Sequence, residues 1–440
     1  MILVYADEKT PRLEYTVRLI FQQILGSEVE ITTDFQRFEL ARLPKINYSD
    51  KQSGDELFLP PAPLLFSTGT AMPAVSPIIS DGETGFFGTP PEAFLPFDPF
   101  ASAFLIVSRM EEYTAPVKDQ HGRFPAAESL LSKHHLLEKA VVNRWVRMIA
   151  DKLEERVGHP IFKPRGFTFL STIDVDNAWA YRNKGLLRTT ASLAGKLFRG
   201  DFPAMKEHAG VLAGKIKDPY DNYGYLCESF RGQEEKIRFF FLLGDLARYD
   251  RQVSWKNSGF RGVVRDINRR FRAGLHPSYA ASSDPSGSLL RLEKVRLERI
   301  TGEPAFASRF HFLRLRFPES YRQLAETGIT DDFSMGYPDQ PGFRSGICTP
   351  YYHYDLSQEQ TTRLLIHPFQ VMDVTLKQYL GLTPEEAIEK IKSLMEEVRY
   401  CGGTFCSIWH NESLSDKGTW KGYRRVFEIM NETGFRYGNT

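Results

Sequence analysis

The residues most able to do chemistry are two aspartates that follow a short apolar run. Asp174 and Asp176 flank a single valine just beyond the run at residues 167–173. Two carboxylates placed this way beyond a buried strand can divide the work of a hydrolase. One binds a divalent metal, and the other acts as general base on a water. The alternative is a turn or a helix N-cap, since aspartate is also favoured there.

Two histidines stand in the same relation to later apolar runs. His276 follows residues 273–275 and precedes a proline, which suits a metal ligand or else a hydrogen-bonded core histidine. His410 follows residues 405–409, where it could orient the base or protonate a leaving group. The alternative for His410 is a histidine packed in a loop.

A third group of polar residues lies between these histidines. Arg309 and His311 alternate with phenylalanines inside a predicted strand at 308–313, so both should point to one face. They could bind a substrate carboxylate, hold an aspartate or form a structural salt bridge. Asp331 and Asp332 follow the next predicted strand and could hold Arg309 or a sugar hydroxyl, or act as caps.

A largely parallel sheet is needed to bring these side chains together. From about residue 161, short apolar runs alternate with helical segments, which predicts βα units. The carboxyl ends of parallel strands emerge on one side, so distant positions should meet there. The predicted strands are residues 167–173, 239–243, 273–275, 308–313, 328–330, 364–366 and 405–409. The predicted helices between them include residues 288–300, 319–326 and 384–400.

The preceding part, residues 1–160, predicts a smaller α/β domain of unknown role. A Gly- and Pro-bearing segment at 158–166 marks the change, so residues 161–440 are expected to form the second domain. The predicted elements of the first part are strands at 2–5 and 29–32 and helices at 10–25, 99–113 and 130–157.

Composition limits the classes of function. The 440 residues carry 56 basic and 55 acidic side chains, a net charge of +1, which gives no overall attraction to nucleic acid or anionic membrane. Four cysteines without CxxC spacing favour reduced thiols. The sequence shows neither a signal peptide nor a run long enough to span a membrane, so a cytoplasmic location is expected.

One segment departs from this neutral balance. Residues 182–217, within a predicted helical insertion at about 182–235, carry many lysines and arginines. We interpret the segment either as a lid or surface for an anionic partner, or as a solvated helix face.

The motifs of the second part resemble those of the polysaccharide deacetylase (NodB-homology) family of carbohydrate esterases. Residues 172–176, Thr-Ile-Asp-Val-Asp, are similar to the family's strand end Thr-Phe-Asp-Asp with one residue inserted. Residues 276–280, His-Pro-Ser-Tyr-Ala, resemble its His-Ser-x-x-His, with Ala280 in place of the second histidine. Residues 309–312, Arg-Phe-His-Phe, resemble Arg-x-Pro-Tyr, and residues 408–410 resemble Leu-x-His.

The resemblance implies a fold, a cofactor and a set of roles. The fold would be a distorted β/α barrel of about seven strands, and the activity metal-dependent removal of an acetyl group from a sugar or glycan, commonly with zinc. Asp174 would be the base and His410 the acid. The metal ligands would be Asp176, His276 and His311, and the substrate contacts would be Arg309, Asp331, Asp332 and Tyr279.

The first part resembles the domain that precedes such barrels in some bacterial proteins, through residues 108–113 and 121–124. The resemblance implies no chemistry for that domain. The pattern favours neither an amide nor an ester bond and indicates no oligomeric state.

Two other functions stay open. Asp-x-Asp is also the metal–nucleotide motif of many glycosyltransferases, but no glycine-rich phosphate loop precedes Asp174, and His276 and His410 would have no role. A catalytically degenerate barrel that only binds glycan is the other alternative, and Ala280 is the residue that favours it.

Overall fold

The first sheet of the computed structural model, which describes residues 1–438, is small and parallel. Its strands run in the order β2-β1-β3-β4. A separate antiparallel hairpin, β5-β6, follows it in the chain. The bounds are β1 Ile2–Tyr5, β2 Val29–Thr32, β3 Lys45–Asn47, β4 Leu57–Phe58, β5 Pro77–Ser80 and β6 Glu83–Phe86. The predicted strands at 2–5 and 29–32 are therefore confirmed.

The helices of this part are shorter than predicted in two places. Their bounds are α1 Pro11–Arg18, continued by a π-helical turn at Leu19–Ile24, α2 Phe35–Leu40, α3 Pro99–Val107, α4 Met110–Tyr113, α5 Leu130–Lys133 and α6 Val141–Val157. The single helix predicted at 99–113 is wrong, because Arg109 adopts a left-handed φ of 56° while its buried side chain pairs with Glu112. The single helix at 130–157 is also wrong, since the chain turns at His135, with φ 58°.

The second sheet has nine strands in the order β12-β13-β11-β10-β9-β8-β7-β15-β14. All neighbours are parallel except the edge strand β12, which is antiparallel to β13. The bounds are β7 Thr168–Val175, β8 Ile237–Leu242, β9 Ala273–His276, β10 Ala307–Ser308, β11 Asp331–Asp332, β12 Tyr351–Asp355, β13 Gln360–Ile366, β14 Val371–Met372 and β15 Thr404–His410.

The prediction of parallel βα units is thus confirmed, whereas a closed barrel is not shown. Within residues 1–438 the backbone pairing ends at β12 on one side and at β14 on the other. The strand predicted at 308–313 is wrong beyond Ser308, because Phe312 takes a φ of 60° and the chain forms a 3-10 turn at His311–Leu313. The strand predicted at 328–330 lies instead at residues 331–332, after Gly328 with φ 77°.

The helices of the second part agree better with the periodicity. The helices predicted at 288–300, 319–326 and 384–400 are confirmed within one residue. The bounds are α7 Leu186–Phe198, α8 Phe202–Leu212, α9 Tyr223–Ser229, α10 Ser258–Phe271, α11 Tyr279–Ser283, α12 Ser288–Thr301, α13 Glu319–Glu326, α14 Pro384–Cys401 and α15 Tyr423–Gly438. Short 3-10 or π turns lie at Pro63–Phe66, Ala126–Glu128, Glu234–Lys236, Thr375–Tyr379, Ser413–Ser415 and Gly418–Trp420.

Side chains of the two parts share one core and pair across it. A single cluster of buried apolar residues includes members of both parallel sheets. Glu112 pairs with Arg344 in the buried interior, and Arg144 pairs with Glu397 nearer the surface. Removing one partner of a buried pair costs far more than removing an exposed one, so the Glu112 contact fixes the two parts together. None of the helices in residues 1–438 is both long and apolar enough to cross a lipid bilayer.

Candidate metal and acid–base site

The two aspartates occupy the carboxyl end of β7. Asp174 lies inside the strand, in register with His410 of the adjacent β15, and Asp176 follows one residue after the strand ends. The Asp174 side chain is buried, and its Oδ1 accepts a hydrogen bond of 3.1 Å from Arg309 Nη1. Arg309, fully buried and outside the lining of the site cavity, therefore holds an aspartate, which is one of the three roles predicted for it.

Three histidines from three different segments turn their Nε2 atoms toward Asp176. The distances from an Asp176 carboxylate oxygen are 3.2 Å to His276, 3.4 Å to His311 and 3.8 Å to His410. These positions are far apart in sequence, and they meet because β9, the turn after β10 and β15 all end on the same side of the sheet.

The outer nitrogen of two of these rings is fixed by an acceptor. His276 Nδ1 contacts the backbone carbonyl of Arg309, and His311 Nδ1 lies 2.9 Å from Asp250 Oδ1. Since a carbonyl or carboxylate can only accept, each Nδ1 carries a hydrogen. In the neutral rings, Nε2 then presents a lone pair toward Asp176, as in metal-ligating histidines supported by an outer acceptor.

His410 is fixed in a similar way by a different carboxylate. Asp373 Oδ1 lies 2.7 Å from His410 Nδ1, and Oδ2 of the same residue accepts the His410 backbone N–H at 2.8 Å. Burial by itself lowers the pKa of His410, but Asp373 and Asp176 outweigh it and raise this pKa well above its ordinary value. The ring is thus held with a proton available at Nε2.

The charges around His311 and Asp176 favour a cation next to the Asp176 carboxylate. Burial disfavours the charged form of His311, yet Asp176 and Asp250 raise its pKa to about 9. Burial also opposes ionisation of Asp176, but the charge of His311 holds the pKa of that carboxyl well below its usual range. The centre is therefore a carboxylate that attracts positive charge from several directions.

A divalent cation fits the donor set. One ligand atom each from Asp176, His276 and His311 lie within 4.8 Å of one another. Asp176 Oδ1 is buried and makes no hydrogen bond among the described residues, and His276 Nε2, also an acceptor in its neutral form, stands 3.2 Å away. Two acceptors facing each other call for a cation between them. Two imidazoles and one carboxylate with an open position are typical of catalytic zinc.

The site opens into a cavity of about 390 Å³. Asp174, Asp176, His276, His311 and His410 line it together, so the structure brings these five predicted residues to one place. The other walls are Arg123, Phe310, Phe312, Leu313, Pro338, Met372, Val374, Gln378, Tyr379 and Glu412.

Three of the predicted substrate contacts lie elsewhere. Asp331 pairs with His367 and lines a different cavity that shares no residue with the first. Asp332 is fully buried and accepts hydrogen bonds from Ser308 and Ser334. Tyr279 packs its ring on Tyr249 at 4.4 Å and does not line the site cavity.

Sequence analysis missed four residues of the site: Asp250, Asp373, Glu412 and Arg123. Asp250 and Asp373 orient two histidines. Asp250 lies in a loop well beyond the predicted strand end at 243, and Asp373 directly follows β14, a two-residue strand that was not predicted. For the β8 loop the strand-end rule indicated Asp245, which instead pairs with Arg296. Glu412 follows His410 by two residues, and burial raises its pKa.

Arg123 comes from the first part of the chain. Its Nη1 donates to the backbone carbonyl of Phe312 at 2.8 Å, and its Nε donates to Asp119 at 2.7 Å. Because Phe312 follows His311, this contact ties the first part to the turn that carries a candidate ligand. The only sequence signal was the segment 121–124, which carried no predicted chemistry.

Comparisons with known proteins cover the chain unevenly. Residues 2–158 match the model of a family described as a family of unknown function (DUF7033). No curated protein is significantly similar to the chain. A solved structure described as "putative polysaccharide deacetylase from Mycobacterium smegmatis" is similar at 16% identity with a TM-score of 0.38, over 61% of this chain and 85% of that one. The mixed α/β class with parallel sheets therefore rests on the chain's own architecture.

Proposed function

We propose that this protein hydrolyses an acetyl group from a sugar or glycan with the help of a divalent cation held by Asp176, His276 and His311. The observation that carries the proposal is the convergence of three histidine Nε2 atoms on one aspartate in an open cavity. A buried base and a protonated acid lie in the same cavity, so the site contains the groups that amide or ester hydrolysis requires.

Asp174 is the proposed general base. Its second carboxylate oxygen faces His276 Nε2 at 3.9 Å, while Arg309 holds the first. The hydrogen bond from the guanidinium fixes the orientation of this carboxylate. Asp174 accepts a proton as a water oxygen bonds to the acetyl carbon.

His410 is the proposed general acid. Asp373 holds its Nδ1, which directs Nε2 and its proton into the cavity. As the carbon–nitrogen or carbon–oxygen bond of the substrate breaks, His410 gives this proton to the departing amine or alcohol. The products are acetate and the deacetylated sugar. When bound, the cation would polarise the acetyl carbonyl and acidify the attacking water.

The binding-only alternative depended on Ala280 in place of a second histidine. The structure places His311 in the group with Asp176 and His276, while the Ala280 backbone N–H donates to Asp250 at 3.1 Å. A three-residue donor group thus exists without a side chain at position 280, and this supports a hydrolase over a degenerate barrel.

The test is acetate release from a panel of N- and O-acetylated oligosaccharides, with metal content measured on the same samples. Asp174→Asn should retain the metal and lose acetate release, and His276→Ala should lose both. Asp331→Asn is the matched control, because that carboxylate lies in the other cavity. Acetate release that both Asp174→Asn and His276→Ala leave unchanged would refute the proposal.

A further inference from the structure

The basic insertion presents an unusual apolar surface. Of the nineteen large apolar side chains exposed among the described residues, seven lie between positions 186 and 216. Leu186, Leu187 and Phe198 are 85%, 87% and 90% exposed. We call this surface the insertion face, formed by Leu186, Leu187, Leu197, Phe198, Phe202, Leu212 and Ile216.

Helix α7 is amphipathic, and its apolar side faces solvent. Leu186 and Leu187 stand eleven residues before Leu197 and Phe198, about three helical turns, so the two pairs share one side. The residues between them on this side are small and exposed: Thr190, Ala191 and Ala194. No residue of α7 is buried, so its apolar side is exposed to solvent together with its polar side. This differs from an ordinary surface helix, which exposes its polar side and buries its apolar side.

Charge surrounds this apolar surface. Residues 182–217 contain eight lysines and arginines against Asp201 and Glu207, a formal net charge of +6 in a chain whose total is +1. Glu207 is paired with Lys417 and Arg182 with Asp221, so one charge of each sign is balanced by a residue outside the segment. Arg199 and Lys206, beside the turn between α7 and α8, are both exposed.

We infer that the insertion face docks onto an anionic lipid bilayer. Large apolar side chains on one side of a helix, flanked by lysine and arginine, are the features of segments that lie in a membrane interface. The apolar residues enter the boundary between head groups and acyl chains, and the basic residues attract anionic head groups. The net charge of the whole chain, +1, does not reveal this local concentration of positive charge.

Hydrogen bonds hold the two ends of the insertion together beside the site cavity. The buried Asp218 carboxylate accepts backbone N–H groups of Ala180 and Tyr181 at 2.8 and 2.9 Å. Tyr181 and Lys184 line a cavity that shares Gln378 and Glu412 with the site cavity. The base of the insertion therefore lies next to the candidate site.

The test is co-sedimentation of the full chain with vesicles of phosphatidylcholine containing about one third phosphatidylserine, and with vesicles of pure phosphatidylcholine. The wild type should bind the anionic vesicles and bind the neutral ones more weakly. Leu187→Ser combined with Phe198→Ser should weaken binding about tenfold or more. Leu40→Ser combined with Ile79→Ser is the matched control, since those residues are 74% and 76% exposed elsewhere, and it should bind like wild type.

A charge variant provides a second, independent measurement. Arg199→Gln combined with Lys206→Gln should weaken binding to anionic vesicles several-fold and leave binding to neutral vesicles unchanged. Absence of wild-type binding to either vesicle would overturn the inference, as would equal losses in the apolar variant and its control. A wild-type dimer that becomes monomeric on Leu187→Ser and Phe198→Ser, with no vesicle binding, would assign the face to a second copy instead.

Discussion

The clearest contrast within the molecule is between the site histidines and His353 on the edge strand β12. Both environments are buried, with His353 only 4% exposed. His353 packs against the rings of Tyr321 and Phe317, and its Nε2 has no hydrogen-bond partner among the described residues. Burial lowers the pKa of His353 to about 4, whereas that of His311 is raised to about 9.

The difference between the two pKa values comes from the hydrogen-bond acceptors around each ring, because both rings are buried. His311 has carboxylates at both nitrogens. His353 has aromatic neighbours and, within residues 1–438, no carboxylate at hydrogen-bond distance. A buried imidazole without a carboxylate partner is neutral and structural. The same imidazole between carboxylates either carries a proton or is ready to hold a cation. The substitutions predicted below each remove one carboxylate or one imidazole from these two environments.

The largest effect is expected from Asp176→Asn, which removes the carboxylate shared by three histidines. Acetate release should fall about a thousandfold or more, because the cation and its stabilisation of the transition state are lost together. Metal content of the purified protein should fall in parallel. Retention of a full metal complement by this variant would contradict the assignment of Asp176 as a ligand.

A smaller loss, about a hundredfold, is expected from Asp373→Asn. The amide no longer stabilises the protonated form of His410, so kcat should fall and the acidic role should weaken. Metal content should stay that of the wild type, because His410 is outside the ligand group. Loss of the metal in this variant would make His410 a ligand and refute its role as the acid.

Asp250→Asn should weaken metal affinity by about ten- to a hundredfold, because the carboxylate that orients His311 is replaced by a weaker acceptor. Competition with a fluorescent chelator measures this change. Asp245→Asn, on the same loop but paired with Arg296, is the control and should match wild type. Equal affinities for Asp250→Asn and wild type would show that His311 needs no outer support.

The smallest effect concerns stability and its pH dependence. Since the pKa of folded His353 is about 4 and the ordinary value is 6.5, the unfolded chain binds more protons between these limits. The contribution of His353 to stability should therefore be constant above about pH 7 and should fall as the pH drops toward 4, by about 1 kcal/mol between pH 7.5 and pH 5.5.

His353→Phe should remove this difference, as measured by urea unfolding at the two pH values. His159→Gln, at an exposed histidine, should keep the wild-type pH dependence. An unchanged pH dependence in His353→Phe would mean that the ring is not held neutral.

The sequence alone was enough to predict the parallel sheet and the placement of Asp174, Asp176, His276 and His410 near strand ends. These predictions use rules that depend only on local pattern: apolar runs, polar ends and the common direction of parallel strands. His311 was also proposed as a ligand, although from a strand that ends at Ser308. His311 lies in the 3-10 turn at His311–Leu313, so strand alternation does not set the direction of its side chain.

Asp250 was beyond sequence reasoning because a loop brings it to His311, and Asp373 was missed because the two-residue strand β14 before it was not predicted. Nothing in the local pattern distinguishes Asp250 from Asp245, and only the folded path of the loop selects the former. The misplacement of Asp331 has a similar cause. Its strand is two residues long, and pairing with His367 directs its carboxylate into another cavity.

The contact of Arg123 with the Phe312 carbonyl has a consequence for any attempt to divide the chain. The segment matched by the family of unknown function contributes a wall to the cavity of the other half. The second part of the chain expressed alone would lack that wall, and a chimera with a different first part would have a changed cavity wall. Under the proposed function, the selection of substrates would thus depend on both parts of the chain.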